Sequence, residues 1–320
     1  MSAFGTPREP LFIGEARDPL LKVADARKEL RAAQAAWNTF REGGGITIRH
    51  EVDEVAQRLL GRVAFSGAIP KREVTRHTRA AIHDARDSLN NFVHAVGVTS
   101  ALTPEQLERV DFPIETTQGK WTSSARTRLK GLPNQVIERA RDLQPFSQVH
   151  NVDASLHPLV QLREISNIEK HRDMIELRVA VAPTEGMRQL FDVTSSDLSP
   201  DEINHVHATI QDYIKPSNIA FDMPLSDGDV VYSFPLVPRF NPRSLNKGSA
   251  EDLVGVQAVA VGKEHVVATF AQLEMTLRFT QNALKYMAGI SDIPPAINDR
   301  SRLAKLLPER SEHEKSSPPR

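Results

Sequence analysis

Residues 156–172 read LHPLVQLREISNIEKHR, and they divide the chain. The apolar positions Leu159, Leu162, Ile165 and Ile168 recur every three residues, the spacing of one helical face. Pro158 suits the first turn of that helix. Upstream the chain is helical in period. Downstream it alternates, as strands do. The same stretch carries Arg163, Asn167, Lys170, His171 and Arg172 within about three turns. So many polar groups beside a core face imply either a buried hydrogen-bond network or a site.

Working back from this helix, residues 120–142 read as one or two helices broken near Gly131 and Pro133. Thr103-Pro104-Glu105-Gln106 predicts a short helix with a Thr cap, Pro at the first position and Gln at the third. A long helix is expected over 71–96, with Ile82, Ala85, Leu89, Phe92 and Val96 on its apolar face. Residues 46–52 alternate as a half-exposed strand. Another long helix is expected over 19–41, with Asp18 as its cap, Pro19 at its first position and Gly43-Gly44-Gly45 as its stop.

Working forward, strands are expected at 174–182, 190–193, 230–236 and 254–261, with a turn at Ser226-Asp227-Gly228-Asp229. Residues 201–213 fit helix or strand. A closing helix is expected over 264–287. This order predicts an α+β fold: a lead-in at 1–17, one domain over 18–290, and a disordered tail over 291–320. Within the domain, a helical part (18–172) precedes a β-rich part with its closing helix (173–290). The long helices at both ends can pair within the core or form a homodimer interface.

Composition narrows the function. The 320 residues carry 40 basic and 41 acidic side chains, a formal net charge of -1, so no whole-molecule attraction to polyanions is expected. The chain has no cysteine, which removes disulfides and thiolate chemistry. The N-terminus lacks a signal-peptide pattern and no apolar run reaches the ~20 residues of a membrane helix, so a cytoplasmic protein with no membrane partner is expected. No phosphate-loop, dinucleotide or nucleophile-elbow motif is present, and metal-ligand spacing is poor. No metal and no cofactor are expected.

Two polar stripes remain. On the 71–96 helix, His83, Asp87, Asn90 and His94 fall on one arc, with Arg86 beside it. Their counterpart is the 156–172 set. If the stripes face each other, His83 and His171 can transfer protons. Arg86, Lys170 and Arg172 can hold phosphate, and Asn90, Asn167 and Gln144 can orient it, which is a metal-independent scheme for phosphodiester cleavage. The bland alternative is a structural polar network. There, Lys170, His171 and Arg172 complement the helix dipole and Asn167 satisfies a carbonyl.

The residues Ile82-His83, Arg86 and Leu89, then Phe112-Pro113-Ile114, then Leu143-Gln144-Pro145-Phe146, then His157 through Arg172, together resemble a set of uncharacterised bacterial proteins frequent in actinobacteria. The resemblance covers roughly residues 20–287. Asp84, Asn90-Asn91 and Glu169 depart from that pattern, the usual residues being Asn, Asp-His and Asp. A slighter resemblance is to the HEPN superfamily of helical RNases and nucleotide-binding modules, through Arg76 and His83 with six residues between them. The first resemblance names a family without an activity; the second implies RNA or a nucleotide as partner and, with the polar stripes, an RNase of the stress or defence kind. The competing expectation is a non-catalytic interaction module.

Overall fold

The computed structural model describes residues 12–148, 154, 157–170, 175–181, 199–201, 225–235, 254–260 and 267–295. The fold is α+β. The chain forms two compact units, one of residues 1–35, 72–176 and 258–298, the other of 36–71, 177–257 and 299–320.

The first unit is helical. Helix α1 (Ile13–Phe40) buries Ala16, Val23, Ala26, Leu30 and Ala33 within this unit, a stripe at helical spacing. The helix starts before Pro19, six residues earlier than its capping signals predict. Ala16 is fully buried, and the preceding Phe12 N–H bonds the Ala288 carbonyl at 3.2 Å. Tertiary anchoring thus supports an extra turn that the local signals do not. Helix α2 (Lys71–Thr99) buries the whole expected stripe, Ile82, Ala85, Leu89, Phe92 and Val96, each at most 3% exposed.

The short helix α3 (Pro104–Leu107) carries the expected reciprocal cap between Thr103 and Gln106. Helices α4 (Gln118–Arg128) and α5 (Asn134–Asp142) are separated at Gly131, whose φ of 87° needs glycine. A single turn, α6 (Pro145–Gln148), precedes α7 (Pro158–Lys170). The closing helix, α8 (Phe270–Met287), starts six residues later than expected. Thr269 caps it reciprocally with Gln272, and a short strand ends immediately before it. The side chains of α1, α2, α7 and α8 converge on a cavity of only about 10 Å³ between Leu30, Ile82, Ile165 and Leu277. This core is therefore close-packed. Arg27 of α1 joins Glu274 of α8 at 2.6 Å along its rim.

In the second unit, β1 (Ile46–Asp53) pairs antiparallel with β2 (Arg58–Phe65), which pairs antiparallel with β4 (Val230–Pro235). The strand β2 has no clean alternation in its sequence, since apolar Leu60 and Ala64 share the face of Arg58 and Arg62 while Gly61 falls on the buried face. The Asp53 side chain accepts the Val55 and Ala56 N–H groups and so shapes the hairpin turn. The turn at 226–229 docks on β2: Gly228 N–H bonds the Val63 carbonyl at 2.8 Å, and Asp227 accepts the Phe65 N–H at 2.8 Å. Before β1, a Cβ at Gly45 would collide with the Phe40 ring and carbonyl, which explains the glycine stop. Strands β3 (Ile175–Val181), β5 (Val254–Ala260) and β6 (Val267–Thr269) complete the described β-structure. The expected strand at 190–193, nearly all of the ambiguous 201–213 stretch, and 296–320 of the expected tail lie outside the described residues.

Candidate functional site

Three of the residues singled out from sequence, Arg86, Asn90 and Gln144, gather around one short extended segment, Asp111 to Glu115, in the helical unit. Its backbone cannot pair in a helix or sheet, and Pro113 supplies no N–H. Side chains take over. Arg86 of α2 donates from Nη2 to the Phe112 carbonyl at 2.8 Å. One turn further, Asn90 Oδ1 accepts the Phe112 N–H at 3.1 Å. Gln144 donates from Nε2 to the Pro113 carbonyl at 3.1 Å and accepts the Glu115 N–H on Oε1 at 2.8 Å. Arg163 of α7 donates from Nη1 to the Ile114 carbonyl at 2.7 Å. Both flanking carboxylates are also engaged. Asp111 lies 3.4 Å from Arg86 and 3.1 Å from Arg128, and Glu115 accepts from Ser124 at 2.6 Å.

This clasp is a buried device. Gln144 and Phe112 are fully buried and Arg86 is 7% exposed. Gln144 Nε2 also bonds the Ala140 carbonyl at 2.9 Å, so both of its amide donors are used within the protein. Burial pushes the Arg86 guanidinium below its ordinary value, and Asp111 acts in the opposite direction. Arginine still keeps its charge, which explains why a carboxylate and a carbonyl face it. Arg86 Nη1 is buried and has no hydrogen-bond partner among the described residues.

Among the described residues of the two stripes, Arg86, Asn90 and Arg163 are directed at the backbone of this segment. The α2 stripe divides by depth. Arg86 and Asn90 turn inward to the segment, while His94 is exposed and His83 keeps 64% of its side-chain surface. His83 Nδ1 lies 3.3 Å from Asp87, which also pairs with Lys22 of α1 at 3.2 Å. Arg76 is exposed and contacts His77, whose other ring nitrogen lies 2.6 Å from Glu29. Asn167 is half-buried on α7. Lys170 belongs to the described residues only through its helical backbone, and His171 and Arg172 lie outside them, as do His205 and His207.

Three further residues matter that the sequence reading gave no place in the site. Arg163 closes the clasp. His157 caps α7: its Nδ1 accepts the Leu159 N–H at 3.1 Å, and its ring meets Phe279 edge-on at 5.1 Å. Burial holds this imidazole down to about 3, so it is neutral. Arg139 donates to the Tyr286 carbonyl at the end of α8 at 2.6 Å, with its guanidinium 5.3 Å from the centre of that tyrosine ring. The Tyr286 hydroxyl donates to Asp142 at 2.7 Å. Burial and that carboxylate push it up to about 12. Helix α7 begins at a histidine followed by proline, and that local pattern is a signal by which His157 could have been found.

Among the described residues, no group of three His, Asp or Glu side chains is placed to hold a metal ion. Among them, too, no helix is long and apolar enough to cross a membrane. The chain matches no family model, and neither a curated protein nor a solved structure shows significant similarity to it.

Proposed function

We propose that this chain works by binding a partner and not by catalysis, and that its polar cluster is a structural clasp that fixes the 111–115 segment against α2, α5 and α7. One observation carries the reading: Arg86, Asn90, Gln144 and Arg163 each spend a polar atom on the backbone of that segment. A group held in this way cannot hold a phosphate with the same atom. A phosphodiester-cleaving site would need these residues to present free donors, together with an imidazole beside them. His83, the one described histidine in that scheme, is on the surface and is turned to Asp87.

The test pairs stability with activity. Gln144→Leu should lower the melting temperature by several degrees, because it leaves buried backbone groups unpaired. His83→Ala should leave melting unchanged, and the wild-type protein should not degrade RNA in the presence of EDTA. EDTA-resistant RNA cleavage that disappears in a folded His83→Ala variant would overturn the reading and favour a metal-independent RNase.

A further inference from the structure

Residues 116–137 contain Lys120, Arg126, Arg128 and Lys130 and no carboxylate, in a chain with 40 basic and 41 acidic residues overall. Helix α4 accounts for half of this stretch and is oriented by its apolar side. Trp121 is 4% exposed and packs on Phe146 at 6.4 Å between ring centroids, and Leu129 is fully buried. The opposite face is exposed. It presents Lys120, Ser123, Arg126 and Thr127 at helical spacing, and Lys130 follows in the next turn. Of the four cations, only Arg128 has a carboxylate partner among the described residues, Asp111 at 3.1 Å. Lys120 and Arg126 stand about 9 Å apart along the axis, with hydroxyls between and beside them.

We infer that this face of α4 binds the phosphate backbone of a nucleic-acid duplex without reading its sequence. Lysine, arginine and hydroxyl side chains are the groups that contact phosphates. The face has none of the aromatic or large apolar anchors on which protein interfaces depend, which argues against an acidic protein partner. The exposed large hydrophobic residues of the described chain all lie on other elements. It also has no exposed ring on which single-stranded bases could stack, which argues for a duplex. The inference goes beyond the binding role proposed above by naming a surface and a partner. It uses no residue of the clasp, so the two can fail separately: melting reads the clasp, and binding reads α4.

The experiment is fluorescence anisotropy of the full chain with a DNA duplex of about 20 base pairs and an RNA duplex of the same sequence, across a salt series. Three phosphate contacts should give a slope of about -2.7 in log affinity against log salt. The Lys120→Gln/Arg126→Gln/Lys130→Gln variant should melt like wild type and lose at least tenfold in affinity at low salt. Binding to either duplex with this loss supports the inference, and the duplex preferred names the source of phosphate. No binding by the wild type at low salt would overturn it, as would undiminished binding by the folded triple variant. Equal competition by poly-glutamate would also overturn it, by showing that charge alone is recognised.

Discussion

A polar side chain's role here follows from where its atoms end, not from its chemical type. Gln144 has the residue type of an orienting group in a site, but its amide is consumed by three backbone partners in a fully buried position. Gln144→Leu should therefore cost about 2–4 kcal/mol, read by chemical denaturation, since each buried backbone group left unpaired costs about 1–3 kcal/mol. His83, by contrast, should tolerate alanine within about 0.5 kcal/mol, because it is an exposed helix position with one long contact to Asp87. Equal losses at the two positions would show that burial does not set their roles.

At the scale of elements, caps and core stripes decide the boundaries. Thr269 and Gln272 satisfy each other's backbone N–H groups at the start of α8, so Thr269→Ala should cost about 1 kcal/mol, measured by thermal denaturation. Deleting part of the four-helix core should cost more. Ile82→Ala, which widens the existing small cavity, should cost about 2–5 kcal/mol in the same measurement. The helices were legible in the sequence where periodicity and capping agree, as in α2 and in the Thr103 box of α3. They were misplaced where a tertiary contact supplies what local chemistry does not, as in the first turn of α1, or where a cap was passed over, as at Thr269. Strand β2 was missed because Gly61 on its buried face, and Leu60 and Ala64 on the other, obscure the alternation that identifies a strand. The residues of the clasp were legible as an unusual cluster. Their target was not, because nothing local tells that the Phe112-Pro113-Ile114 backbone will be the acceptor.

For the molecule as a whole, acid should be destabilising, and His157 supplies an identifiable part of that. In the folded chain this imidazole titrates at about 3, against an ordinary value of 6.5. Between those values the unfolded chain binds a proton that the folded chain refuses. The unfolded state then binds more protons, so stability rises with pH through this window and falls as pH drops from 6.5 toward 3. The slope from this one group is up to about 1.4 kcal/mol per pH unit. The expected outcome is a melting temperature that declines on acidification and declines less steeply in His157→Asn, which keeps a capping side chain.

The clasp itself is tested most directly by amide hydrogen exchange at Phe112 and Glu115. These N–H groups lie outside helix and sheet and are held only by the Asn90 and Gln144 side-chain oxygens. Both should be strongly protected in the native protein, and Gln144→Leu should release protection at Glu115. Fast exchange at both amides in the wild-type protein, as in an unconstrained loop, would contradict the clasp and return Arg86, Asn90 and Gln144 to the search for a ligand site.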